Sequence, residues 1–204
     1  MKNDTLIIVT SDNGPEVSAV VQMRKDYQHD GARPWRGVKR YQWEGGHRVP
    51  FIVRWPGQVA AGSTSAQTLC LTDIMATCAS ITGATLPRTA AEDSFDMKPV
   101  LLGRDEGGPV REFTLHQTWT FDLAIRRGDW KFLDYQGSGG NKYAANFELA
   151  KFILPEAGPD APGQLYNLAD DPGETENLYQ KHPEIVGQLK ALLEQTKQSG
   201  RSAP

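Results

Sequence analysis

Thr5-Leu6-Ile7-Ile8-Val9-Thr10-Ser11-Asp12-Asn13-Gly14-Pro15 is the stretch from which the fold is read. Leu6 to Val9 is a continuous apolar run rich in β-branched residues. It reads as a strand covered on both faces, as in a parallel sheet flanked by helices. In such sheets ligands collect beyond the carboxyl ends of the strands. Asp12 and Asn13 stand there, and Gly14-Pro15 stops the strand. A carboxylate and a carboxamide oxygen suit a hard divalent cation, Ca²⁺ or Mg²⁺. Asn-Gly after a strand is equally an ordinary turn signal, so this stretch alone leaves turn and metal site both open.

A second phrase, Gly37-Val38-Lys39-Arg40-Tyr41-Gln42-Trp43-Glu44-Gly45-Gly46-His47-Arg48-Val49-Pro50, follows closely. Glu44-Gly45-Gly46 reads as a tight, permissive turn, and the chain from Arg48 to Val53 reads as another strand. A loop lysine is normally solvated. Beside a metal-bound oxyanion, however, the Lys39 ammonium is a compact charge suited to a tetrahedral anion.

These phrases, with Trp55-Pro56-Gly57, Ala124-Ile125-Arg126-Arg127-Gly128-Asp129-Trp130-Lys131 and Leu165-Tyr166-Asn167-Leu168-Ala169-Asp170-Asp171-Pro172-Gly173-Glu174-Thr175-Glu176-Asn177-Leu178, occur in one order over nearly the whole chain. In that order they resemble the type I sulfatases, the arylsulfatase family of the alkaline-phosphatase-like superfamily. The resemblance implies an α/β fold: the C-terminal part of a sulfatase domain, followed by a small antiparallel sheet packed with a C-terminal helix. It implies that Asp12 and Asn13 ligate Ca²⁺ (or Mg²⁺). It also implies that Lys39 contacts the sulfate group of an aryl or carbohydrate sulfate-ester substrate.

Family members further carry a formylglycine nucleophile, made from the Cys or Ser of a Cys/Ser-x-Pro-x-Arg signature, and a second pair of metal-binding acids. These 204 residues contain neither Cys nor Ser in that setting. Cys70 precedes Leu71-Thr72-Asp73, Cys78 precedes Ala79-Ser80-Ile81, and Arg33-Pro34-Trp35-Arg36 follows Ala32. A Ca²⁺ site takes six to eight oxygens, of which Asp12 and Asn13 supply a minority, and without a nucleophile there is no covalent step. The expectation is a truncated, split or decayed C-terminal sulfatase portion, inactive alone, with no catalytic residue of its own. A separately encoded N-terminal half is its candidate partner. A strand at residues 5–10 whose neighbours lie in that half would leave apolar faces open. Two alternatives stand beside this reading. One is a non-catalytic binding or complementation module. The other is a phosphodiesterase-like relative in the same superfamily, although the region after Asp12 lacks the His-rich spacing of a two-metal site.

Composition sets the outer limits. Apolar residues make up 39% and charged residues 23% of the chain, the balance of a folded domain. A net charge of −3 without a basic stripe argues against a nucleic-acid partner. Arg33, Arg36, Lys39 and Arg40 form a local basic cluster that a sulfatase would turn toward an anionic substrate. No apolar span approaches the roughly 18 residues of a membrane helix. Leu6 to Val9 is too short for a signal-peptide core, so localisation stays open, family members being mostly periplasmic, secreted or lysosomal. Cys70 and Cys78, if on one helix, lie about 12 Å apart, beyond disulfide reach.

The chain divides into residues 1–108, the remainder of the catalytic α/β domain, and residues 109–204, a small α+β subdomain. A helix is predicted at about 72–82. The alternation of Phe113, Leu115 and Gln117, the segment Asp122–Ile125, the turn Arg127-Gly128-Asp129 and Trp130–Leu133 predict antiparallel strands. Leu165–Leu168 adds another, closed by Asp171-Pro172-Gly173. A last helix starts near Pro183, with Ile185, Val186, Leu189, Leu192 and Leu193 on its apolar face. Tyr143 to Leu154 has the pattern of a short amphipathic helix, without a functional account. His116 and His47 are read as structural or exposed, with substrate contact the alternative. His29 and His182 are read as surface residues.

Overall fold

The computed structural model describes residues 3–29, 31–104, 107–118, 120–137, 139 and 158–203. The helix expected from Tyr143 to Leu154 lies outside them. The described chain forms two compact units, each assembled from separated stretches. One comprises residues 1–10, 50–114 and 194–204, the other residues 11–49 and 115–193.

In the first unit, β1 (Ile7–Thr10) pairs antiparallel with β2 (Phe51–Arg54), Val9 opposite Ile52 and Ile7 opposite Arg54. Among the described residues these two strands pair only with each other, so the parallel neighbours expected for β1 are not seen. Ile7, Val9 and Ile52 are 42%, 57% and 62% exposed, as expected for a strand short of neighbours. After a 3₁₀ turn at Leu71–Asp73 comes α2 (Ile74–Thr82), ended by Gly83 in the left-handed region at φ 73°, where glycine carries no steric penalty. A short helix α3 (Lys98–Leu101) follows.

A buried acid organises this unit. Asp73, fully buried, accepts from the backbone N–H of Cys70 (2.8 Å) and Phe95 (3.0 Å), and from the Arg111 guanidinium at 2.6 Å. Thr77 continues the chain of bonds, donating to the Asp73 carbonyl at 2.7 Å and accepting from the Met97 N–H at 2.9 Å. Residues far apart in sequence thus meet at one carboxylate. Cys70 lies ahead of the helix rather than on it, half-buried, while Cys78 is exposed on α2. Both are free thiols.

The second unit holds α1 (Val17–Tyr27) and a four-stranded sheet in the order β3 (Thr114–Gln117), β4 (Leu123–Arg127), β5 (Trp130–Leu133), β6 (Gln164–Asn167). β4, β5 and β6 are antiparallel in turn. Gly128 opens the two-residue β4–β5 loop at φ 58°, the position that asks for glycine in a type II′ hairpin. The register sets Ala124 beside Leu133 and Gln164, and Arg126 beside Lys131 and Tyr166, all on one face. Ala124, Leu133 and Tyr166 join Val17, Val20, Val38, Tyr41, Trp43 and Leu168 in a single core. Ile125, Phe132 and Leu165, on the opposite face, are also fully buried. α4 (Pro183–Ser199) buries Val186, Leu189 and Leu193 at helical spacing, and its Lys190 bonds Asp134 just beyond β5.

α1 is not among the elements read from the sequence. Half of its apolar residues are valine, a poor helix former, and it forms through caps and burial. Glu16 accepts from the Val17 N–H, Gln28 closes the end in the left-handed region, and Val17 and Val20 enter the core.

Removing one partner of a buried ion pair strands the other charge. Arg111→Met is therefore expected to destabilise the chain by about 3–5 kcal/mol. Lys181→Ala, which breaks an exposed pair with Glu176, should cost less than about 1 kcal/mol. Urea denaturation of both variants checks this; equal, small losses would show that Arg111 does not stabilise the first unit.

Candidate functional site

The three residues singled out from the sequence lie in the second unit, on two loops stitched together by backbone. The Gly14 N–H donates to the Gly46 carbonyl at 2.8 Å, and the Lys39 N–H donates to the Pro15 carbonyl at 3.0 Å. The first loop carries Asp12 and Asn13, the second Lys39. Asp12 is exposed, and Asn13 and Lys39 are half-buried. Ser11 Oγ reaches the Asp12 carboxylate at 3.5 Å and the Asn13 carbonyl at 3.0 Å.

Close packing, not backbone freedom, explains the glycines. A Cβ on Gly14 would sit 1.9 Å from the Gly45 carbonyl oxygen, and one on Gly46 would sit 1.9 Å from that of Tyr41. Neither residue has a positive φ. Glu44-Gly45-Gly46 is a buried 3₁₀ turn through which other backbone passes at contact distance.

The donors near Asp12 and Asn13 have the chemistry for a hard cation, oxygen throughout, but not the number. Among the described residues no group of three or more His, Cys, Asp or Glu side chains is arranged to hold a metal. Asp12 and Asn13 by themselves would supply only a minority of the oxygens such a cation takes.

The basic cluster separates on inspection. Arg36 stacks on buried Trp43, 3.6 Å from the ring centroid, and donates to the Glu174 carbonyl at 2.6 Å. Arg40 pairs with Glu16 at 2.9 Å. Both are thereby tied to protein groups.

The Glu44 turn, bonded through Gly45 to Arg36, carries a charged network that the sequence did not announce. Glu44 is 1% exposed. One of its oxygens meets Lys131 Nζ (3.0 Å) and His47 Nε2 (3.2 Å), and the other meets Arg48 and Arg126 (3.2 Å each). Its backbone N–H donates to Glu174 Oε2 at 2.7 Å. Lys131, fully buried, also pairs with Glu174 Oε1 at 3.1 Å. Burial opposes the charge on Glu44, but Lys131 and the His47 hydrogen bond hold its pKa well below the usual carboxylate range. At Glu174, by contrast, burial wins and pushes the carboxyl up, against the pull of Lys131. Glu174 is presented to the network from φ 50°. The turn is held there by Asp171, whose carboxylate accepts from the N–H groups of Thr175 (2.6 Å) and Glu176 (2.9 Å).

His47 and His116, read separately from the sequence, come together with ring centroids 3.8 Å apart. Burial, then the Lys131 charge, lowers the His47 pKa to about 4. Burial and the neighbouring His47 hold His116 well below its ordinary value. Both imidazoles are neutral near pH 7. His29 is exposed and His182 half-buried.

An unfolded histidine has a pKa near about 6.5, so the unfolded chain takes up protons before the folded one does. Stability is then full above about pH 6.5 and falls as pH drops toward 4, by at most about 1.4 kcal/mol per pH unit for each histidine. Glu174, shifted upward, acts in the opposite sense in the carboxylate range. Urea midpoints between pH 7 and 4.5 are expected to show this decline, and His47→Gln with His116→Gln should flatten it. An unchanged slope in the double variant would rule the histidines out as its source.

Comparison with known proteins places relatives along nearly the whole chain. The family model for Sulfatase matches residues 1–84. An N-acetylgalactosamine-6-O-sulfatase of Bacteroides thetaiotaomicron is 36% identical over 200 residues, covering 97% of this chain and 37% of the relative. Arylsulfatase A of Homo sapiens is 32% identical over 198 residues, covering 93% and 37%. Among solved structures, one from work on the metabolism of multiple glycosaminoglycans by Bacteroides thetaiotaomicron superposes with a TM-score of 0.79 at 34% identity, over 96% of this chain and 39% of that one. A sulfatase from Pseudoalteromonas superposes at 0.67 with 29% identity, over 93% and 36%. The chain thus spans little more than a third of the length of these relatives. It belongs to the sulfatase family.

Proposed function

We propose that this chain supplies the C-terminal part of a sulfuric ester hydrolase, with Asp12 and Asn13 as part of a Ca²⁺ (or Mg²⁺) shell and Lys39 as a contact to the sulfate group. The observation that carries the proposal is the stitching of the Asp12–Asn13 loop to the Lys39 loop by the Gly14–Gly46 and Lys39–Pro15 bonds. That arrangement brings an oxygen-donor pair and an ammonium onto neighbouring backbone, the combination a metal-bound sulfate needs. When bound, the metal would supply Lewis-acid polarisation of a sulfate oxygen. Lys39 would neutralise charge on the anion, and the buried network behind it would keep its loop from shifting. The formylglycine nucleophile has no precursor in these residues, so the covalent step falls to a complementing sulfatase segment. The exposed apolar side chains Ile7, Val9 and Ile52 support such a segment as the partner of β1 and β2. The name of the relative that is 36% identical favours a carbohydrate sulfate ester over an aryl one as substrate.

The purified chain, coexpressed with a formylglycine-generating enzyme, should turn over neither an aryl sulfate nor a 6-sulfated hexosamine. Joined to the N-terminal portion of the Bacteroides relative, it should hydrolyse the sulfated sugar, and Lys39→Ala should lower kcat/KM by roughly 100-fold or more. Hydrolysis by the chain alone that survives Lys39→Ala would sink both the role of Lys39 and the need for a partner.

Metal affinity gives a separate check. With two donors from this chain, Ca²⁺ should bind at the weak end, in the range of about 10⁻⁴–10⁻³ M or poorer. Calorimetry that found micromolar binding, lost in Asp12→Ala, would show that further ligands complete the shell within the chain.

A further inference from the structure

We infer that Lys131 and Glu174 are positioning residues for the Lys39 loop and, through it, for Asp12 and Asn13; the inference rests on the roles proposed above for those three. Lys131 comes from the middle of β5, and Glu174 from the turn after β6. Together they grip one residue, Glu44, at both ends. Lys131 Nζ holds the Glu44 carboxylate at 3.0 Å, and Glu174 Oε2 holds the Glu44 N–H at 2.7 Å. The 3.1 Å pair between Lys131 and Glu174 closes the triangle.

From Glu44 the restraint passes through short, directed steps. The Gly45 N–H donates to the Arg36 carbonyl at 2.7 Å, fixing the start of the Lys39 loop. The Gly46 carbonyl receives the Gly14 N–H, next to Asn13. Because Gly14, Gly45 and Gly46 each lie within van der Waals contact of other backbone, this path has no slack. A shift of the Glu44 turn must move both loops.

Stability alone does not account for this arrangement. Burying an ion triad is often no better for stability than apolar residues of the same volume, whereas charged groups fix a geometry that apolar contacts leave adjustable. Here the fixed geometry is the relation between Lys39 and the Asp12–Asn13 pair. Lys131 and Glu174 act through Glu44, and neither is assigned a contact with substrate.

The test uses the ¹⁵N-labelled 204-residue chain and two variants: Lys131→Met, and the triple Glu44→Gln/Lys131→Met/Glu174→Gln, which removes the three charges of the triad together and leaves Arg48 and Arg126 without the Glu44 carboxylate. Amide exchange is read at Gly14, Lys39 and Gly45, and compared with the amides of β4 and β5. Mn²⁺, an oxygen-preferring probe, is added to read which amides broaden. Exchange at the three loop amides is expected to quicken by roughly 10-fold or more in both variants while β4 and β5 keep their protection. Mn²⁺ broadening at Lys39 should weaken relative to that at Asn13. Loop protection and Lys39 broadening like those of the parent would overturn the inference. So would an equal loss of protection in β4 and β5, which marks a purely structural role. Absence of broadening at Asn13 in the parent chain would overturn the metal assignment alone, and the exchange data would still judge the restraint.

Discussion

A carboxylate with 1% of its surface exposed must be compensated or it will not stay ionised. Glu44 is compensated by four cationic or hydrogen-bonding side chains drawn from its own turn and from β4 and β5. That requirement organises the second unit. It explains a lysine in the middle of a buried strand, a glutamate held at positive φ in the turn after β6, and histidines kept neutral beside it. It also explains why Arg126 and Lys131 stand opposite each other on the same sheet face as the core residues Ala124 and Leu133.

The first unit solves a similar problem on a smaller scale. Asp73 gathers the Arg111 guanidinium and two backbone N–H groups, and Thr77 carries the bonding on to Met97. In each unit buried acids tie together segments distant in sequence: Asp73 in the first, Glu44 with Glu174 in the second. Small units bury a limited apolar area, so directed polar contacts take a larger part in specifying which segments meet. Removing one partner in either place leaves a bare charge behind, which makes these sites far more sensitive than the surface pairs.

The glycines of Glu44-Gly45-Gly46 belong to the same logic. They permit the carbonyls of Arg36, Gly37 and Tyr41 to approach at distances no Cβ would allow. The turn is thereby compressed against its neighbours, and the Gly14–Gly46 bond joins the oxygen-donor pair to the loop of the proposed sulfate contact. The residues proposed as metal ligands and the lysine proposed to contact sulfate thus sit on backbone segments bonded to one another, and the charged network is built on the same Glu44 turn.

Periodicity and turn chemistry were legible in the chain by itself. The β4–β5 hairpin around Gly128, β6, α2 and α4 stand within a few residues of where alternation, the 3.6-residue repeat, Gly83 and Pro183 put them, because local preference and burial agree there. The ordered phrases around Asp12, Lys39 and Glu44 were enough to recognise the family. α1 was not legible, since its valines disfavour a helix until Val17 and Val20 find a core. The antiparallel pairing of β1 with β2 was not legible either, because an apolar run states that it will be covered and not by what. Least visible were the partners of Glu44. Lys131, Glu174, His47 and His116 each look like ordinary surface or strand residues in one dimension. Only the tertiary fold, by removing water from around a carboxylate, decided that they had to meet.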